Sequence, residues 1–163
     1  MRFNTFIKLS IYVILICFYI SITSCNDNRT FDKFHSIDNT GWNHNAPVTF
    51  LIDRQWEGVY LLDLALRVSH NYKYKYLSLI LEKDIINVEK HTTKTINDTI
   101  NIPIIDNKGK LLGKQSISNS IIKQTIATLK LKRNDSLKIT VRHIMKVDNL
   151  QGINDIGLKL SKI

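Results

Sequence analysis

Ile22-Thr23-Ser24-Cys25 is the stretch of this chain with the best-defined covalent chemistry. An aliphatic residue, two small residues and a Cys at the end of an apolar run resemble the bacterial lipobox. A thiol is the nucleophile that accepts a diacylglycerol group, and small residues before it fit a peptidase cleft. Ile22, Thr23 and Ser24 are therefore expected to direct processing, and Cys25 to be the lipid attachment site. Cleavage at Cys25 would free its amine for a further acyl chain. One acyl chain, at about 0.8 kcal/mol per buried methylene, holds a protein only marginally, whereas two or more anchor it. Upstream, basic Arg2 and Lys8 precede the uncharged apolar stretch Leu9 to Ile22, the order expected of a secretory leader. That stretch of about 14 residues is short of the roughly 20 that a permanent membrane-spanning helix needs.

Other reactive side chains form no comparable pattern. The five His residues are His35, His44, His70, His91 and His143, and no two stand at the i, i+4 spacing of a helical metal site. Cys17 lies in the leader and Cys25 at its end, so the body after Cys25 has neither a disulfide nor a Cys-based metal site. Asp53 with Glu57, or Asp148 with Asp155, could serve as acid and base only if the fold brought them together. No Ser lies in a Gly-x-Ser-x-Gly elbow, and the six glycines form no phosphate-cradling loop. The expectation is a protein that is not an enzyme, without a metal and without a cofactor beyond the covalent lipid on Cys25.

The aromatic residues carry a different chemistry. Trp42, Trp56, Tyr72 and Tyr74 could stack on sugar rings or anchor a partner; equally, the tryptophans could plug the ends of a sandwich and the tyrosines stripe an edge. Asp98-Thr99-Ile100 and Asp135-Ser136-Leu137 resemble the Asp-Ser/Thr-aliphatic acceptors of O-glycosylation in Bacteroidetes, with Thr99 and Ser136 as the acceptor hydroxyls. Asp135-Ser136 also suits a hairpin turn.

What must position these residues is a chain of 163 amino acids with a net charge of +9, enough for one compact domain. The charge is dispersed: Tyr72-Lys73-Tyr74-Lys75-Tyr76 and Leu129-Lys130-Leu131-Lys132 alternate Lys with apolar residues, as solvent-facing strands do. This argues against nucleic acid as a partner, which requires clustered cations. Attraction to anionic headgroups, or a plain solubilising surface, accounts for the surplus better.

The dominant period after Phe31 is two. Tyr60, Leu62, Leu64, Leu66 and Val68 face one way from Gly58 to Ser69, while Asp63, Arg67 and Ser69 face the other. Leu77, Leu79 and Leu81 repeat the pattern over Tyr76 to Leu81, and Leu137, Ile139, Val141 and Met145 over Leu137 to Met145, which puts His143 on the apolar side. Ile156, Leu158 and Leu160 mark a terminal strand in which Gly157 allows a close approach. Weaker strands are expected at Lys33–Ile37, Val48–Ile52, Ile86–His91, Thr99–Ile104 and Gln124–Leu131, with Ser116–Lys123 as a helical turn. Turn chemistry at Asp106–Gly109, Arg133–Asp135 and Asn149–Asn154 separates these runs. The expected organisation is a signal peptide over residues 1–24, the lipidated Cys and a polar tether over 25–30, and one domain over 31–163. That domain is expected to be all-β, a two-sheet antiparallel β-sandwich of jelly-roll type.

These residues resemble a known family, the gliding-motility lipoprotein GldH of Bacteroidetes. The likeness rests on the lipobox Cys25, Phe34, Trp42-Asn43, Pro47-Val48-Thr49-Phe50, Leu62 to Arg67, Tyr72-Lys73-Tyr74 to Leu77, Asp98-Thr99, Pro103 to Asp106 with Gly109, and Gly113-Lys114. Its most specific part is the ending Leu150-Gln151-Gly152-Ile153-Asn154-Asp155-Ile156-Gly157-Leu158. The stretch Gln115 to Ser120 departs from the Gly-rich segment of the family. What the resemblance implies is a lipid-anchored accessory of the gliding and type IX secretion apparatus, held to a membrane by acyl chains and in contact with other envelope proteins. Only the lipidation Cys transfers from the family as a functional residue. A cluster of acids after the lipidated Cys marks surface-exported lipoproteins of Bacteroidetes, and here only Asp27 follows closely. The expected location is the outer membrane, facing the periplasm.

Overall fold

The three-dimensional structure is a computed structural model describing residues 29–163 apart from Val88. The processing residues Ile22, Thr23 and Ser24 and the lipid site Cys25 lie outside the described residues.

Period-two patterning becomes eleven strands, and among the described residues there is no helix. The long strands are β1 (Arg29–Ser36), β3 (Val48–Gln55), β4 (Gly58–Ser69), β5 (Tyr76–Asn87), β6 (Thr92–Pro103), β8 (Asn119–Leu131), β9 (Asp135–His143) and β11 (Ile153–Lys162). The two-residue strands are β2 (Trp42–Asn43), β7 (Lys114–Gln115) and β10 (Asn149–Leu150). One sheet has the order β1-β11-β4-β8-β7, the other β3-β9-β5-β6, and β10 with β2 forms a small ribbon. Counting only the long strands in chain order, the sheets read first-eighth-third-sixth and second-seventh-fourth-fifth. This is the jelly-roll arrangement of two Greek keys.

Burial follows the alternation. On β4, Tyr60, Leu62, Leu64, Leu66 and Val68 are buried, and Leu77, Leu79 and Leu81 of β5 and Leu137, Ile139 and Val141 of β9 join them in one core. The Phe31 ring of β1 meets Phe50 of β3 edge to face at 6.4 Å, closing the core where the two sheets approach. A Cβ on Gly157 would lie 2.5 Å from the Phe34 ring on the neighbouring β1, so the close approach expected there is made by an aromatic side chain. Arg67 covers that ring from 4.5 Å.

Four local expectations are corrected. The first strand opens at Arg29 and so takes in the last two residues of the expected tether. Ile86–His91 is no separate strand: β5 runs through to Asn87 and a turn follows. Ser116–Lys123 is no helical turn, since β8 begins at Asn119 and pairs with β4 along its length. Tyr72-Lys73-Tyr74-Lys75 is no strand face but the connection between β4 and β5.

Candidate functional site

The sandwich has two ends. At one lie Arg29, the β3–β4 turn at Trp56, the β5–β6 and β8–β9 turns and Ile163; at the other lie the connections that carry β2, β7 and β10. Nine-residue β9 runs from Asp135 at the first end to His143 at the second, about 30 Å at roughly 3.3 Å per residue.

At the second end, Trp42 is 1% exposed, its indole N–H donating to the Ala46 carbonyl at 2.9 Å. Its own carbonyl lies 3.0 Å from His143 Nε2, in a wholly buried imidazole. A carbonyl can only accept, so Nε2 carries the proton and the unpartnered, buried Nδ1 presents a bare lone pair. Burial, reinforced by the neighbouring His44 ring at 5.3 Å, holds His143 below the usual imidazole range despite that hydrogen bond. Protonation would leave a second N–H without an acceptor. Stability is therefore complete above about pH 6.5, where the imidazole is neutral whether the chain is folded or unfolded, and falls below it, at up to about 1.4 kcal/mol per pH unit. Urea unfolding followed from pH 7.5 to 5 checks this: a His143→Gln variant should lose that part of the acid dependence, and an unchanged slope would contradict the assignment.

Tyr72 folds inward beside this cluster. Its amide donates to the Ser69 carbonyl at 3.1 Å, its hydroxyl to the Tyr76 carbonyl at 2.9 Å, and burial pushes its phenol well above the usual range. Gly152 packs on its backbone, and the Gly152 carbonyl accepts from the Ser69 amide at 2.9 Å. This contact seats the β10–β11 turn against the β4–β5 connection. Between that turn, the Asp38–Gly41 loop and the start of β8 opens a cleft of about 370 Å³, with a second of about 380 Å³ adjoining it through Ile37, Asp38 and Gly41.

Amide and hydroxyl groups dominate the first cleft: Asn39, Asn71, Asn119, Gln151, Asn154 and Ser118. Two of them build the walls, Gln151 donating to the Thr40 carbonyl at 2.5 Å and Asn154 to Asn119 Oδ1 at 2.8 Å. The side chains of Asp38, Asn39, Asn71 and Ser118 are exposed and make no hydrogen bond within the described residues. Carboxamides offer donor and acceptor from one planar group, which is what a peptide main chain or a sugar hydroxyl requires. Sequence reading missed this convergence. The Gln151-Gly152-Ile153-Asn154 block was its only signal.

The residues singled out from sequence do not meet in one place. Trp42 and Tyr72 are buried at the second end, Trp42 in the wall of the second cleft; Tyr74 packs on Tyr72 with centroids 5.7 Å apart and is partly exposed. Trp56 stands 68% exposed at the opposite end. Thr99 is exposed on β6, and Ser136 is half-buried on β9 between β3 and β5. Asp135 closes the preceding turn by accepting from the Lys132 amide at 2.8 Å. Asp155 is engaged by Ser36 at 2.7 Å and Arg67 at 3.3 Å. Among the described residues, no three His, Cys, Asp or Glu side chains gather as a metal site would require.

Residues 29–160 match the family described as GldH lipoprotein. No curated protein matches the chain. Among solved structures, the chain is similar to a crystal structure from Sulfurospirillum deleyianum, at 10% identity and a TM-score of 0.46, covering 82% of this chain and 98% of that one. It is also similar to the Eiger TNF from S. frugiperda, at 16% identity and a TM-score of 0.33, covering 81% and 85%.

Proposed function

Because the chain belongs to the GldH lipoprotein family, we propose that it is a lipid-anchored accessory of the gliding and type IX secretion machinery, acting through protein contacts and without catalysis. In this reading Cys25 carries the acyl chains, the domain sits on the periplasmic face of the outer membrane, and the amide-lined cleft receives a segment of a partner protein. The observation that supports it best is the placement of the terminal block. Gln151, Gly152, Ile153 and Asn154, within the stretch most characteristic of the family likeness, line that cleft, at the end remote from Arg29, where the anchor would attach. A site for another envelope protein is best offered there, away from the bilayer.

Sugar binding is the second reading. The cleft amides suit hydroxyls, but no aromatic ring lines this first cleft to stack on a pyranose face. Protein contact is therefore preferred. Deletion of the gene in a strain able to glide and secrete tests the proposal: colony spreading and secretion should both fail, and normal levels of both would refute it. A photo-crosslinking residue at Asn71 should in addition capture an envelope protein, and capture only of glycan would transfer the assignment to the second reading.

A further inference from the structure

Resting on the lipid attachment proposed above, we infer that the Trp56 end of the sandwich is a membrane-docking surface that receives the phosphate groups of anionic headgroups. Three residues separate Cys25 from β1, which begins at Arg29, so four Cα-to-Cα steps link the two. Even fully extended they reach no more than about 14 Å. An acylated Cys25 would therefore hold this end, and not the amide-lined cleft, against the headgroups.

What stands at that end suits the location. Trp56 projects from the β3–β4 turn, and the turn is pinned behind it by the Tyr60 hydroxyl, which donates to the Trp56 carbonyl at 2.9 Å. Arg133 lies over the indole at 5.3 Å, pairing an aromatic ring with a cation at the tip. Exposed Val59 and Ile163 stand close by, the Ile163 amide donating to the Val59 carbonyl at 3.0 Å. Trp beside apolar and cationic side chains is the composition of a bilayer interface.

Beside this tip, a groove of about 290 Å³ runs between the end of β5, the start of β6 and the end of β8. Lys90, Lys94, Lys130 and Lys132 line it, and none of the four ammonium groups pairs with a carboxylate among the described residues. Asp135 lies in the groove but is already engaged, by Asn87 at 2.6 Å and the Lys132 amide at 2.8 Å. The lysine charge is left to an outside anion. A headgroup phosphate within the reach of the tether fits it, and each lysine near an anionic surface adds to the attraction.

The test uses the acylated full-length protein purified from membranes and reconstituted in vesicles of phosphatidylcholine, alone or with phosphatidylglycerol, doped with a headgroup-region fluorescence quencher. Tryptophan emission should be quenched, more strongly with phosphatidylglycerol, and the quenching should vanish in Trp56→Phe, which leaves buried Trp42 as the reporter. Replacing Lys90, Lys94, Lys130 and Lys132 together with Gln should reduce quenching in anionic vesicles to the level in neutral ones, with an unchanged β-sheet circular dichroism spectrum confirming that the variant is folded. Quenching unaffected by Trp56→Phe, or indifferent to lipid charge, would overturn the inference. Intact mass on the same preparation separates the two claims: an acylated chain with unquenched Trp56 defeats the docking surface alone, while a chain without acyl groups defeats both.

Discussion

Replacing Gly152 with Ala should destabilise the domain by about 3 to 5 kcal/mol, combining backbone strain with overpacking. Gly152 has a φ of +88°, and a Cβ there would lie 2.3 Å from the Tyr72 backbone nitrogen. Neither partner can yield cheaply. The Tyr72 amide is bonded to Ser69, whose own amide is bonded to Gly152, so the contact is locked from both sides. A net stability of about 5 to 15 kcal/mol would lose a large share, and the amide-lined cleft would open with the displaced turn. Chemical denaturation of wild type and Gly152→Ala measures this, and a loss under about 1 kcal/mol would contradict the packing described. Gly109, equally at positive φ but with open space around its missing Cβ, is the matched control and should lose only the conformational part, about 1 kcal/mol.

The second large effect concerns a buried charge. Lys83 occupies an inward position of β5, continuing the series Leu77, Leu79 and Leu81, and is 3% exposed. Its ammonium pairs with Asp98 on β6, which stands opposite Leu81 and faces inward too, with its side chain 44% exposed at the sheet edge. Inward-pointing charge on an edge strand discourages pairing with another chain. Removing one partner of such a pair strands the other, so Asp98→Ala should cost about 2 kcal/mol, less than the 3 to 5 of a fully buried pair because water reaches the site. Lys83→Met, which removes the charge that needs a partner, should stay within about 1 kcal/mol of wild type. In a Lys83→Met background Asp98→Ala should become nearly neutral. Equal losses for Asp98→Ala with and without Lys83 would show that the pair is not coupled.

The same lysine explains where the sequence was legible and where it was not. The β4 strand could be read to its last residue because five apolar side chains alternate with Asp63, Arg67 and Ser69. Along β5 the apolar alternation stops at Leu81, and Glu82-Lys83-Asp84 reads as solvated turn; the inward role of Lys83 depends on Asp98, fifteen residues away, and on the register between the strands. A bulge in β8 opposite Leu62 and Asp63 shifts its register, so Ile121 to Ala127 shows no clean period. The helical turn expected around Ser116–Lys123 has a separate origin: the adjacent Ile121 and Ile122 hide the alternation where β8 begins, at Asn119. The candidate site was the least legible part. Asn39, Asn71, Asn119 and Asn154 read singly as turn residues, and only the jelly-roll connections gather them at one end. Tyr72 offered an alternating Tyr/Lys pattern that suits a strand, yet its ring turned inward because a turn released it from the sheet.

Two ends with different chemistry give the domain a direction: a cationic, Trp-tipped end where the chain enters, and an amide-lined cleft at the other. That direction has functional meaning only if the chain is fastened to a bilayer through Cys25. Mass spectrometry of the N-terminal peptide from the native protein is the most direct examination of that fastening. The expected result is a chain whose first residue is Cys25 bearing fatty acids; a retained leader, or a processed chain with an unmodified thiol, would contradict the anchor.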